Sequence, residues 1–153
     1  MASQRDVDLV IRQIGPSDRA FFEGIRNLLT QLYPQNQNLS EEVFDTVING
    51  NAVDVFVALL DGKPVATASL ARYQKLGGKV HVIEDVVVSV SYRGKGIGRK
   101  LTEAMLKRAE ELGGDFVDVS TRRPDAHDFY IKCGFSPKDE TRPLFSLRYV
   151  LKC

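Results

Sequence analysis

Residues 92–99 read YRGKGIGR, one residue after the apolar run VIEDVVVSV at 82–90. Gly94, Gly96 and Gly98 alternate with basic and apolar residues, and the chain then enters a helical pattern. Ile97, Leu101, Ala104, Met105, Ala109 and Leu112 form its apolar stripe, and Glu103 and Lys107 can pair across one turn. A strand, a glycine loop and a helix in that order leave N–H groups at the helix start unpaired. With the helix dipole these make an anion site, and glycine lets the backbone approach the anion. Arg93, Lys95, Arg99 and Lys100 place positive charge where the dipole disfavours it, and a phosphate or pyrophosphate offsets that repulsion. The Walker pattern GxxxxGK[ST] is absent, and the spacing GxGxG does not match the dinucleotide fingerprint GxGxxG. A solvated basic turn with glycines for tight packing is the alternative reading.

Working outward from this loop, VDLVIRQI (7–14) alternates as a first strand and Gly15-Pro16 break it. Ser17 suits the N-cap of a helix over about 18–33, with Phe21, Phe22, Ile25, Leu28, Leu29 and Leu32 at helical spacing and Pro34 ending it. Ser40-Glu41-Glu42 predicts a second helix start, and Gly50 its stop. VDVFVALL and KPVATASLARY flank Asp61-Gly62, a strong hairpin signal. A second turn at 75–79 leads to the strand VHVIEDVVVSV (80–90), and turns this short require antiparallel neighbours. Past the loop helix, DFVDVST (115–121) reads as a strand. Pro124 opens a short helix that Gly134 ends, and FSPKDETRPLFSLRYVLK supplies one or two closing strands. The order β-α-α-β-β-β-α-β-α-β(β) describes an α+β fold, with a mixed, mostly antiparallel sheet flanked by helices in a single domain over 1–153.

Composition agrees with one globular domain: 153 residues, 43% apolar, 27% charged, net charge +1. The near-neutral balance argues against a general nucleic-acid binder. No apolar run approaches the roughly 20 residues that span a bilayer, and the acidic N-terminus does not read as a signal peptide. Cys133 and Cys153 lack metal-ligand spacing, and His81 and His127 stand apart, as surface or interface residues. The expectation is therefore a cytoplasmic protein with free thiols, no metal, no membrane and no nucleic-acid partner.

Arg93-Gly94-Lys95-Gly96-Ile97-Gly98 resembles the [RQ]xxGx[GA] signature of the GNAT superfamily of acetyl-CoA-dependent N-acetyltransferases. FYIKCGF (129–135) resembles that family's FYxKxGF element, at the expected separation. The resemblance implies that backbone N–H groups from Arg93 through Gly98 bind the pyrophosphate of coenzyme A, with Lys95, Arg99 and Lys100 near its phosphates. It further implies that the strand Val86-Val87-Val88 pairs with the pantetheine arm, through the main chain of Val86 and Val88, and aims an N–H at the thioester oxygen. Acetyl-CoA is the implied cosubstrate and an amine of a small polar molecule or a peptide the implied acceptor, with direct transfer and no covalent intermediate. Homodimers are common in the family.

Such a transfer needs a neutral amine and a proton for the departing thiolate. The family places Tyr130 beside the coenzyme sulfur as that acid, leaving Phe129 as the core aromatic. Glu84 and Asp85 interrupt an apolar strand, where a carboxylate is costly unless paired or near water. Alternation puts Glu84 on a face with Val82, Val86 and Val88, and Asp85 with Ile83 and Val87. One of them approaches the acceptor as base or counter-ion, and Glu84 is preferred as base. HVIEDVVV also resembles the HxEDxxV stretch of glucosamine-6-phosphate N-acetyltransferases, and Arg148 resembles a substrate arginine of that group. Where that group has acidic residues, this chain has Ser120-Thr121-Arg122-Arg123-Pro124. Arg122 and Arg123 are thus candidates for an anionic part of the acceptor or coenzyme, or are solvated charges. A non-catalytic acyl-CoA-binding or regulatory domain is the competing class.

Overall fold

Asp61 and Gly62 both turn left-handed, with φ of 50° and 77°, and this two-residue turn joins β2 (Val53–Leu60) to β3 (Lys63–Lys75). In the computed structural model, which describes residues 8–35, 39–138, 141 and 146–151, these strands form the centre of a sheet. Its order is β1-β2-β3-β4, antiparallel throughout, with β1 at Leu9–Gln13 and β4 at Gly78–Val88. The chain divides into two compact units, Met1–Ser120 and Thr121–Cys153.

In the first unit, alternation along β2 sends Val55, Val57 and Leu59 into a core with Ile14, Ile25, Phe44 and Ile48. That face is covered by α1 (Phe22–Leu32) and α2 (Glu41–Asn49). Asp54 points the opposite way, toward Arg108 of α3 (Ile97–Glu111), where Leu101, Met105 and Ala109 are buried. The predicted cap of α2 is present: the Ser40 hydroxyl accepts from the Val43 N–H at 3.1 Å.

The expected helix over 18–33 is two pieces, a 3-10 turn at Pro16–Phe21 and then α1. Its start is organised by Asp18, which accepts from the Gly15 N–H at 2.8 Å and pairs with Arg12, so Ser17 is not the cap. The expected strand 115–121 reduces to one parallel bridge, Val82 with Asp118. Asp118 N–H donates to the His81 carbonyl and Ile83 N–H to the Asp118 carbonyl, both at 2.9 Å. The ladder does not continue past Ile83, and two residues further along β4 Asp85 turns left-handed at φ 51°. The mixed sheet is therefore a four-stranded antiparallel sheet plus a single parallel contact.

In the second unit, α4 (Pro124–Lys132) starts on Pro124 and is followed by Gly134 at φ 98°, as the sequence predicts. The closing strands do not form among the described residues: 146–151 run unpaired and exposed, and residues 139–140, 142–145 and 152–153 lie outside the description.

Candidate active site

The run Ile83-Glu84-Asp85-Val86-Val87-Val88 carries a β-bulge. Ser69 opposes Glu84 and Thr67 opposes Val87, so two residues, Asp85 and Val86, stand against Ala68 alone. Uniform alternation therefore fails here. Glu84 shares its face with Val87, because Ser69 and Thr67 share one, and not with Val86 and Val88 as strict period two implies. The bulge also switches which main-chain groups face outward. Before it, Ile83 N–H points away from β3, to Asp118. After it, Ser89 N–H points back to Val65 of β3 at 2.9 Å, so by alternation Val86 and Val88 hold the outward groups and Val87 the inward ones. Val87 packs in the interior at 4% exposure.

Next come a 3-10 turn at Val90–Tyr92, then Arg93, Gly94 (φ 77°), Lys95 and Gly96 (φ 80°). Left-handed Gly96 is the N-cap of α3, with no side-chain hydrogen bond at that cap, and the first amide bond back to it comes from Lys100 at 3.2 Å. The N–H groups of Ile97, Gly98 and Arg99 in the first turn are thus available, and that turn contains no acid. Lys95 Nζ lies 5.4 Å from the centroid of the Tyr92 ring. Arg99 bonds Glu103 at 3.2 Å across one turn, which shares its charge. Arg93 Nε donates to the Val88 carbonyl at 3.0 Å, tying the loop to the strand. Donors without internal acceptors, left-handed glycines and clustered cations fit a diphosphate.

Two residues that sequence reasoning missed complete this part of the first unit. The Tyr33 hydroxyl, just beyond α1, donates to Asp85 Oδ1 at 2.5 Å. From the same helix end, Gln31 Oε1 accepts from the Val90 N–H at 3.1 Å. Sequence separations of 52 and 59 positions left no local signal for either contact. The Tyr33 phenol is pushed up to about 12, first by its hydrogen bond to Asp85, then by burial and the charges of Asp85 and Glu84. Glu84, although exposed, is raised above the ordinary carboxylate range by partial desolvation and by the negative charge of Asp85.

His81 is a correction to its reading as a surface residue: it is 2% exposed, and Nδ1 finds no hydrogen-bond partner among the described residues. A side chain at Gly114 would strike its ring, since an added Cβ comes within 2.7 Å. His127 is exposed, beside Asp128 at 3.3 Å.

In the second unit, Tyr130 is 7% exposed and meets Phe129 and Phe135 edge-on, at centroid distances of 5.0 and 5.4 Å. Phe129, expected as the core member, is only half-buried. Burial pushes the Tyr130 phenol up to about 12, with Cys133 adding to the rise and Arg123 opposing it. Cys133 is half-buried and outside any disulfide. Arg122, Arg123 and Arg148 are exposed, and Arg123 Nε stands 3.6 Å from Asp125. Among the described residues there is no cluster of three or more His, Cys, Asp or Glu that could hold a metal ion.

Three kinds of likeness bear on these features. Residues 22–135 match the acetyltransferase (GNAT) family, from α1 through the FYIKCGF element. Glucosamine 6-phosphate N-acetyltransferase 1 of rice (Oryza sativa subsp. japonica) is 30% identical over 132 residues, 80% of this chain and 79% of that protein. The crystal structure of glucosamine-6-phosphate N-acetyltransferase from Arabidopsis thaliana superposes with a TM-score of 0.73 at 29% identity, over 90% of this chain and 98% of that one. An aminoglycoside acetyltransferase from an uncultured soil metagenomic sample shares the fold, with a TM-score of 0.79 at 24% identity over 94% and 97% of the two chains. A bulged strand whose Val86 and Val88 main chain faces away from β3, running into a left-handed glycine cap, lies inside the matched segment, and this chain belongs to the GNAT family of acetyltransferases, which use acetyl-CoA as cosubstrate.

Proposed function

We propose that this chain, an acetyl-CoA-dependent N-acetyltransferase, moves the acetyl group directly to a primary amine of a small polar molecule, without a covalent enzyme intermediate. The observation that carries this reading is the bulge at Asp85. It turns the main chain of Val86 and Val88 to the side of β4 away from β3, immediately before the diphosphate-type turn. Acetyl-CoA supplies an activated thioester carbonyl when bound along such an edge. Val86 and Val88 pair with its arm, and the N–H groups from Gly94 to Arg99, with Lys95 and Lys100, hold its phosphates. An alkylamine of pKa about 10.4 is almost wholly charged at neutral pH and must lose a proton before attack. Glu84 accepts it, its proton affinity increased by partial desolvation and by Asp85. Asp85 holds the amine as counter-ion. Tyr130 keeps its proton at neutral pH and donates it to the departing thiolate.

Glucosamine 6-phosphate stands first among candidate acceptors, supported by the identity to the rice protein that bears its name. Exposed Arg122, Arg123 and Arg148 are cations suited to a sugar phosphate. The experiment is calorimetric titration with acetyl-CoA, followed by thiol release with aminosugars, aminosugar phosphates, polyamines, amino acids and peptides. Selective binding of acetyl-CoA over ATP, with turnover of at least one amine, is the expected result. Binding without turnover of any amine points to the acyl-CoA-binding domain instead. Equal affinity for ATP overturns both readings.

A further inference from the structure

We propose that Tyr33 is a positioning residue of the acetyl-transfer site: its hydroxyl donates to Asp85 and fixes that side chain, leaving Glu84 as the carboxylate that takes the amine proton. This rests on the function proposed above and assigns separate tasks to two adjacent acids.

Tyr33 is anchored before its side chain is considered. Its N–H caps α1 by donating to the Leu29 carbonyl at 2.7 Å, and Pro34 directly after it disfavours helical backbone at Tyr33. The ring therefore leaves the helix in a fixed direction and reaches Asp85 Oδ1 at 2.5 Å, a charge-assisted bond. Gln31, two residues earlier, accepts from Val90 N–H. The two contacts bracket residues 86–89, the stretch whose outward main chain the cosubstrate is proposed to use. Asp85 itself is left-handed at φ 51°, a conformation that Asp adopts more readily than most residues with a Cβ, and the Tyr33 bond fixes its side chain there. Among the described residues, the titratable groups facing Glu84 are Asp85 on its own strand and Tyr33 from α1, while β3 opposes it with uncharged Ser69. With one Asp85 oxygen committed to the phenol, Glu84 is the better placed to gain a proton.

The test compares the whole chain with Tyr33→Phe and Asp85→Asn. Removing the phenol withdraws the donor that offsets the Asp85 charge beside Glu84, so Glu84 holds its proton to higher pH. In Tyr33→Phe the acid limb of kcat/KM for the amine moves up by about 0.5–1 pH unit, kcat falls about tenfold, and KM for acetyl-CoA stays within about twofold. Asp85→Asn keeps an acceptor for Tyr33 but removes the charge beside Glu84, so its acid limb moves down. Side-chain carboxyl signals of Glu84 and Asp85, titrated by NMR in the free proteins, report the same coupling without turnover. Unchanged carboxyl titrations in Tyr33→Phe, with the pH profile of the wild type, overturn the assignment, and so does an acid limb that stays put in Asp85→Asn. Failure of the wild type to bind acetyl-CoA instead overturns the function proposed above, and the NMR titration still decides whether Tyr33 governs the pair.

Discussion

Glu84 and Asp85 are neighbours with unequal surroundings, and the difference yields opposite effects on stability and activity. Glu84 is raised above its ordinary 4.5, so the folded protein binds its proton more tightly than the unfolded chain does. The stability gained from that proton is complete below the unfolded value and is lost as pH rises through the folded one. Glu84→Gln, which imitates the protonated acid, is therefore expected to melt higher than the wild type at pH 7. The gain vanishes below about pH 4.5, as thermal melts across pH will show. The same variant loses the acid limb of its pH–rate profile and at least about 100-fold in kcat/KM for the amine. A variant that is both more stable and fully active removes Glu84 from the role of base. Tyr130 makes a different prediction. With its phenol near 12, it stays protonated through pH 10, so Tyr130→Phe lowers kcat by about 100-fold without changing the profile's shape below that pH. A new alkaline limb below pH 10, or unchanged kcat, refutes it as the acid.

At the scale of elements, the glycine turn and the bulge do the positioning. Gly96 at φ 80° caps α3 and keeps the first-turn N–H groups unobstructed. Gly96→Ala forces a Cβ into the left-handed region at a cost of about 1–2 kcal/mol. It is expected to weaken acetyl-CoA binding at least tenfold. Gly62 in the β2–β3 hairpin has nearly the same φ, 77°, but lies in a turn with no assigned ligand. Gly62→Ala therefore costs similar stability and leaves the affinity unchanged, a comparison that calorimetry resolves. Equal affinities for Gly96→Ala and the wild type would remove the turn from the binding site. Several elements were legible because each signal is local: Asp-Gly for the hairpin, Ser40 for the α2 cap, Pro124 and Gly134 around α4. The bulge was not, because VIEDVVV reads as a continuous strand and nothing in it marks the residue at which pairing slips. That slip decides which amides face outward, and it moved Glu84 onto the face of Val87.

On the scale of the whole molecule, Asp54 joins three elements of the first unit. It lies 2.5 Å from Arg72 of β3 and 2.8 Å from Arg108 of α3, beneath the helix that carries the glycine cap. Burial alone would raise its carboxyl, but the hydrogen bonds and charges of the two arginines outweigh burial and hold it below 3.8. Asp54→Asn removes the counter-charge of Arg72 and leaves Arg108 with only Glu111, at 3.9 Å. The expected loss is near the lower end of about 3–5 kcal/mol, because Arg108 keeps 30% side-chain exposure. A lowered carboxyl contributes stability that is full above its unfolded value and lost as pH falls through the folded one. The gap between variant and wild type in urea melts should therefore narrow below about pH 3.8, and a gap constant down to pH 2 excludes this account.

By itself the sequence determined the α+β class, the hairpins, the helices on either side of the glycine turn and the family, because periodicity, turn chemistry and short motifs act over a few residues. Only the tertiary structure decided that 115–121 makes one bridge instead of a strand, that His81 is buried, and that Tyr33 and Gln31 grip the bulged strand. Those outcomes depend on contacts between segments tens of residues apart, and such contacts are set by how the sheet and helices pack, not by any local pattern.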